Sequence, residues 1–304
     1  MTCRAPWRAR AAAGVLAALA LVACRGGDPP ATASGGAGSG PATASGATTS
    51  GASGASAPAT SGAGATTTSG AVEQLRAEVV ASRPRDPGGF TQGFELDGTT
   101  LYESNGLYGA SAVRALDRAT GTVLRTYRPP SSVFAEGITR AGDRLLLLTW
   151  RERVVYVLDA ATFAERGTLP YDTEGWGICA RDGEVVTSDG SDVLTVRDAT
   201  TLTARRRISV RLRGEPVREL NELECVGDDV WANVWRTDRI VRVRIADGAV
   251  TGVADVPELR PASTKGDADA VLNGIAHVDA TGTFLLTGKR WPVIHEVRFT
   301  RTGG

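Results

Sequence analysis

The 304-residue chain carries 34 basic and 34 acidic side chains and is formally neutral at pH 7. Charge this evenly mixed gives no electrostatic basis for binding nucleic acid or an anionic membrane surface. His277, His295 and the two cysteines of the later sequence, Cys179 and Cys225, have no ligand spacing and do not make a zinc site, so no metal is expected.

At the N-terminus, Arg4, Arg8 and Arg10 precede an apolar run from Ala11 to Ala23. The run is too short to span a bilayer comfortably and has the shape of a signal-peptide core. It ends Leu21-Val22-Ala23-Cys24, which resembles a bacterial lipobox with Cys24 as the lipidated residue. An ordinary secretory peptide cut near Ala23 is the alternative. Residues 1–23 are therefore read as a lipoprotein signal peptide. Residues 24–71, almost only Ala, Gly, Ser, Thr and Pro, cannot bury enough apolar surface to offset their conformational entropy. They read as a flexible tether with an r.m.s. reach of roughly 35–40 Å. The expectation is an extracytoplasmic, monomeric protein whose one link to a bacterial membrane is its N-terminal lipid.

Residues 72–304 are left as one folded domain, large enough to bury a core. Short runs alternating apolar and polar residues dominate it, such as Val154 to Asp159, Val193 to Asp198 and Ile240 to Ile245. Period-two alternation rich in β-branched residues predicts strands. Each run meets an Asp/Thr/Gly turn, such as Asp117 to Gly121 or Asp159 to Thr162, suited to a tight hairpin. A short pattern recurs five times, starting at Gln92-Gly93-Phe94, Glu136-Gly137-Ile138, Trp176-Gly177-Ile178, Glu222-Leu223-Glu224 and Asn273-Gly274-Ile275. The starts lie roughly 40 to 50 residues apart, the period of propeller blades. An all-β fold follows, a five-bladed β-propeller of about four antiparallel strands per blade. An open ring would leave strand edges bare, so the strand-like Leu75 to Ala81 is expected to complete the last blade, beside Pro292 to Phe299. Once Cys3 leaves with the signal peptide and Cys24 is lipidated, Cys179 and Cys225 remain. They occupy equivalent positions in consecutive copies, and both a disulfide and two buried thiols are open.

A propeller gathers the starts of its inner strands around one end of the central channel. The polar candidates there are Gln92, Glu136, Asn221, Glu222, Asn273 and Lys289; the aromatic ones are Phe90, Trp150, Trp176, Trp235 and Trp291. A lone Trp near a strand end is most simply packing, but clustering at equivalent ends of several repeats suggests a cage. Glu222, Asn273 and Trp291 read as supports, and His277 and His295 as structural.

Six segments, in order, carry a resemblance: Phe90-Thr91-Gln92-Gly93, Ala135-Glu136-Gly137-Ile138-Thr139, Glu174-Gly175-Trp176-Gly177, Leu220-Asn221-Glu222-Leu223-Glu224, Ala232-Asn233-Val234-Trp235, and Asn273-Gly274-Ile275-Ala276 followed by Thr287-Gly288-Lys289-Arg290-Trp291-Pro292. From about Val79 to Phe299 the chain resembles the plant- and bacterial-type glutaminyl cyclases. The resemblance implies a five-bladed propeller. The implied reaction turns the N-terminal Gln of peptides or proteins into pyroglutamate and releases ammonia, without a metal cofactor. A structural cation in the channel has precedent in related propellers, though no acidic ligand cluster in the sequence demands one. By motif, the acid–base role falls on Glu136. Asn221 and Lys289 hold the amide and oxyanion, Trp176 donates or stacks at the substrate, Phe90, Trp150 and Trp235 wall the pocket, and Gln92 hydrogen-bonds the substrate backbone or another site residue. The alternatives are a structural carboxylate at Glu136, a surface lysine at Lys289, and a non-catalytic lipoprotein whose cage binds peptide or amine ligands.

Overall fold

Strands begin almost as soon as the low-complexity sequence ends. The computed structural model describes residues 71–303, which fall within one compact unit, Ala65–Gly304. The expected signal peptide, Cys24 and the tether up to residue 70 lie outside the described residues.

The described chain is all-β apart from two single-turn 3-10 helices, Pro257–Leu259 and Ala262–Thr264. The long first strand is β1 (Glu73–Pro84). Three four-stranded antiparallel meanders follow in chain order. They are β2 (Thr91–Asp97), β3 (Thr100–Asn105), β4 (Ala112–Asp117) and β5 (Val123–Tyr127); then β6 (Ala135–Ala141), β7 (Arg144–Thr149), β8 (Val154–Asp159) and β9 (Glu165–Pro170); then β10 (Ile178–Arg181), β11 (Glu184–Thr187), β12 (Val193–Asp198) and β13 (Ala204–Ser209). A small hairpin, β14 (Arg211–Leu212) and β15 (Glu215–Pro216), precedes β16 (Leu220–Val226), β17 (Asp229–Val234), β18 (Arg239–Arg244) and β19 (Val250–Asp255). The last strands are β20 (Leu272–Val278), β21 (Thr283–Gly288) and β22 (Val293–Arg301). Strand β1 joins these final groups into one eight-stranded sheet, β16-β17-β18-β19-β1-β22-β21-β20. It pairs in parallel with β19 over Glu73–Leu75 and antiparallel with β22 from Leu75↔Arg301 to Pro84↔Val293.

Burial grades across each meander. The first two strands are nearly dry, as in β7, where Leu145, Leu146, Leu147 and Leu148 are fully buried. The fourth strands β5, β9 and β13 are mostly exposed. The turn between third and fourth strands repeats one device. Asp117, Asp159 and Asp198 each accept the backbone N–H and the hydroxyl of a Thr three residues on. The residue after that Thr takes positive φ: Gly121 at 72°, Phe163 at 65° and Leu202 at 59°. The first copy supplies the residue that tolerates this region. In the other two the side chain is buried, so core packing offsets the backbone cost.

Of the two states open for the cysteines, the disulfide is the one found. Cys179 in β10 and Cys225 in β16 are bonded, with Cα atoms 5.4 Å apart. Closing a loop with a sequence separation of 46 stabilises by about 4 kcal/mol in the chain-entropy account.

Deleting residues 72–82 would strip β1 from both β19 and β22. The loss should exceed the roughly 5–15 kcal/mol by which a domain is stable and abolish the cooperative transition in thermal circular dichroism. A midpoint equal to that of the full chain would show that β1 is dispensable.

Candidate active site

The inner strands β2, β6 and β10 approach each other backbone to backbone. Gly137 donates its N–H to the Trp176 carbonyl at 2.8 Å, and a Cβ at Gly137 would lie 2.7 Å from that oxygen. Ser104 and Ser188 reinforce the approach by donating to the Glu136 and Asn221 carbonyls of the next repeat. Contact this close gathers the residues that open these strands, and those just past the second strands, around one cavity of about 190 Å³. It is lined by Phe90, Gln92, Phe134, Glu136, Trp150, Trp176, Asn221, Trp235 and Lys289. All eight residues assigned to reaction or binding from sequence meet here, and Phe134 is the ninth. A larger outer cleft of about 370 Å³ runs past Arg83, Arg114 and Asp117. Its Arg114 and Arg118 pair with Asp86 and Glu296, and it holds none of the residues gathered at the inner-strand starts.

Neither charged group of the cavity is on the surface: Glu136 is 6 % exposed and Lys289 5 %. Burial pushes the Glu136 carboxyl well above the usual carboxylate range; Lys289 opposes this, while Glu174 and Glu152 add to it. Burial also pulls the Lys289 ammonium down, against the attraction of Glu136 and Asp269. Both groups are thus moved toward the pH range where a proton can be exchanged. Gln92 Nε2 donates to Glu136 Oε1 at 3.3 Å. Gln92 Oε1 and Asn221 Oδ1 are buried without a hydrogen-bond partner. An unpaired buried acceptor costs about 1–3 kcal/mol, and a ligand carrying N–H groups would relieve it.

The aromatic wall is held by identifiable contacts. Trp176 and Trp235 meet edge to face with centroids 5.4 Å apart, and Phe134 lies 5.5 Å from Trp150. Glu174 accepts both indole N–H groups, from Trp150 at 2.9 Å and Trp176 at 3.3 Å. With its donor taken, Trp176 offers a ring face rather than the N–H that the sequence left open. Gly190 at φ 79° makes room for this indole, since a Cβ there would come within 2.7 Å of the ring. The Lys289 ammonium sits 4.9 Å from the centre of the Phe90 ring.

The residues read as supports are supports. Glu222 accepts the Phe94 N–H at 3.1 Å and the Ile275 N–H at 2.7 Å, tying three inner strands together. Asn273 donates to the Thr91 carbonyl, and the fully buried Trp291 donates its indole N–H to the Ala270 carbonyl. His277 bonds Asp279, and His295 contacts Ser82 and the Leu259 carbonyl, away from the cavity. Sequence reasoning passed over Phe134 and the role of Glu174. Each stands two residues before a cavity residue, Glu136 and Trp176, at the offset that already marked Phe90 before Gln92.

Further along the inner strands lie three carboxyls, the buried Glu222 and the half-buried Glu95 and Glu224. Backbone or hydroxyl donors occupy each: Thr139 and Arg140 for Glu95, Phe94 and Ile275 for Glu222, His277 for Glu224. Among the described residues, no group of three or more His, Cys, Asp or Glu is placed to hold a metal ion. Burial raises Glu95 from 4.5 to about 7, partly offset by its Thr139 and Arg140 bonds. A carboxyl raised on folding contributes stability in full below its unfolded value and loses it as pH rises through the folded one. Thermal stability should therefore decline between about pH 4.5 and 7 in part through Glu95. In Glu95→Gln the decline over this window should be shallower, read from melting midpoints across the pH series.

The profile of the family described as glutamine cyclotransferase matches residues 51–299. A glutaminyl-peptide cyclotransferase of Arabidopsis thaliana is 36 % identical over 225 residues, covering 73 % of this chain and 70 % of the relative. The crystal structure of Myxococcus xanthus glutaminyl cyclase superposes with a TM-score of 0.71 at 31 % identity, covering 76 % of this chain and all of the other.

Proposed function

The chain belongs to the glutamine cyclotransferase family, and we propose that the aromatic-walled cavity is where it acts as a glutaminyl-peptide cyclotransferase. The observation that carries this reading is the buried Glu136, raised in pKa and set beside Gln92 and Lys289 in a cavity that holds two unpaired acceptors.

The reaction closes a ring within one residue. The α-amine of an N-terminal glutamine attacks its own side-chain amide carbon, a C–N bond forms, and ammonia leaves. Because both groups belong to one residue, holding them in the reactive geometry supplies much of the rate. The attacking amine must be neutral; its ordinary pKa of about 8 leaves an appreciable neutral fraction at neutral pH, so no strong base is needed. Departure of the amide nitrogen is harder and requires its protonation. The Glu136 carboxylate takes the proton from the attacking nitrogen as the C–N bond forms. It returns that proton to the leaving nitrogen as the second C–N bond breaks. A group with this double duty works best with its pKa near the operating pH, and burial moves Glu136 in that direction.

Charge develops on the amide oxygen in between. Lys289, and Asn221 through its amide N–H, are the donors we assign to it. Gln92 Oε1 accepts from the substrate amine, while its own amide keeps Glu136 in place. Trp176, Trp235, Trp150, Phe90 and Phe134 enclose the glutamine side chain and keep water from the reacting carbon. No step calls for a metal.

The strand pairings support the reading of the fold as a five-bladed propeller, with β1 as the last strand of the fifth blade. We assign residues 1–23 to a lipoprotein signal peptide and residues 24–71 to a tether anchored by lipid on Cys24, outside the cytoplasm. The Cys179–Cys225 disulfide suits that oxidising location.

Glu136→Gln should lower kcat by about 10²–10⁴-fold and leave the melting transition in place. Mass spectrometry of a Gln-initiated peptide reads the loss of one ammonia. A variant that cyclises as fast as the wild type would remove Glu136 from the reaction. A binding-only protein would retain the peptide and release no product.

A further inference from the structure

A cavity of about 190 Å³ is smaller than the 300–1,000 Å³ of sites that enclose drug-sized ligands. It accommodates one residue, so a peptide whose first residue is bound there must run out across the rim. Four stretches of that rim are short or charged. Arg151 stacks 3.7 Å over Trp150, and Arg236 lies 4.2 Å over Trp235. Arg290 pairs with Asp267 and Asp269, and Asp189 holds the turn at Ser191.

The stretch between β3 and β4, residues 106–111, is different in two respects. It is longer than its counterparts 150–153, 188–192, 235–238 and 289–292. It also exposes apolar surface. Among the described residues, the exposed large apolar side chains are Val79, Val80, Leu107, Tyr108, Val123 and Leu124. Of these, the valines and Leu124 lie on the outer strands β1 and β5, and Leu107 (37 % exposed) and Tyr108 (51 %) lie on this loop, where the Tyr108 ring meets the cavity residue Phe134. Positive φ is not what sets it apart: Leu107 has φ 89°, but Arg153, Arg236 and Arg290 in the counterpart stretches also take positive φ, at 56°, 61° and 58°.

Strain at an exposed leucine has no packing purpose, yet the loop is fixed. The Leu107 carbonyl accepts from the Ala110 N–H at 3.0 Å and the Ser111 hydroxyl at 2.9 Å, and the Gly109 N–H donates to the Ser131 carbonyl at 2.8 Å. The loop also joins the cavity wall without a break. Tyr108 meets Phe134 edge to face at 5.4 Å, and Phe134 in turn contacts both Phe90 and Trp150. The first residue of the loop is Gly106, where a side chain would collide with the Phe134 ring. Trp150, Trp235 and Lys289 fill the equivalent place, directly after the second strand, in other repeats.

We infer that Leu107 and Tyr108 form the subsite for the side chain of the residue following the terminal glutamine, and that they select an apolar or aromatic one. The inference rests on the glutamine occupying the cavity. The second side chain then lies on a rigid apolar shelf made by the Tyr108 ring, Leu107 and the outer edge of Phe134. An acidic or amide side chain there would lose hydration for no partner, which costs more than a missing methyl group.

The test compares kcat/KM for peptides beginning Gln-Phe, Gln-Leu, Gln-Ala and Gln-Asp. The wild type should favour Gln-Phe and Gln-Leu over Gln-Ala and Gln-Asp by about tenfold or more. Tyr108→Ala should bring the Gln-Phe to Gln-Ala ratio to about one, mainly through KM, as expected of contacts made equally before and during reaction. Tyr108→Phe should restore the ratio. Leu107→Gly suits the positive φ, so it should fold at least as well while losing part of the preference. Leu124→Ala, on the far strand β5, should leave the ratio as it is. A wild type indifferent to the second residue, or a Tyr108→Ala variant that keeps the wild-type ratio, would overturn the subsite. Glu136→Gln tests the cavity itself and is read by total turnover, so the two failures are told apart.

Discussion

The close approach of the inner strands is the constraint from which the site follows. Gly137 sits against the Trp176 carbonyl so tightly that a methyl group would not fit, and the Gly137 N–H pairs with that carbonyl. Backbone contact of this kind leaves no room for side chains between strands. The residues flanking each glycine therefore point along the shared axis or into the packing between sheets. Glu136 and Trp176, one position before their glycines, are brought to the same small volume although they belong to separate repeats. The serine hydroxyls of Ser104 and Ser188 occupy carbonyls that the approach would otherwise leave unpaired.

Buried carboxyls then divide into two kinds by what their oxygens meet. Glu222 spends both oxygens on backbone N–H groups of other strands, and it serves as a strut. Glu136 has one weak amide contact from Gln92 and the attraction of Lys289, and it opens onto a cavity. Both are raised by burial, so the direction of a pKa shift does not tell a structural acid from a reactive one. What separates them is whether a substrate atom can reach the carboxyl. The same criterion sets Asn221 apart from Asn273: both carry a buried, unpaired side-chain oxygen, but Asn221 lines the cavity and Asn273 does not.

The strand order and the meanders were legible because alternation and Asp-Thr turns are local signals, repeated four or five times with small variations. The cavity residues were legible for a related reason: they occupy a few equivalent places in the repeats, at the start of the inner strand or directly after the second, so an odd residue such as Glu136 or Lys289 stands out against its counterparts. What the sequence hid is what depends on the contact between repeats. The state of Cys179 and Cys225 turned on a Cα separation of 5.4 Å that no spacing encodes. The engagement of the Trp176 indole by Glu174 depended on two neighbouring residues folding back on each other. Phe134 was passed over because its apolar side chain looks like core, and only its lodging against Gly106 places it on the cavity.

A site assembled this way carries a standing cost. Two buried acceptors, Gln92 Oε1 and Asn221 Oδ1, are unpaired, and a carboxyl and an ammonium are both held out of water. Each unpaired acceptor destabilises by about 1–3 kcal/mol. Against this stand the disulfide across β10 and β16, at about 4 kcal/mol, and the buried Arg85–Glu103 pair that Thr91 and Thr287 complete. Both of these ties link separate sheets close to the inner strands. Removing either would loosen the approach that aims Glu136 and Asn221, so stability and alignment of the site depend on the same contacts. The rim escapes this coupling. Leu107 and Tyr108 are exposed, and the Tyr108 ring meets the cavity wall at Phe134. Their identity can change without moving the reacting groups, which makes the loop the part of the site where selectivity is free to vary independently of the chemistry.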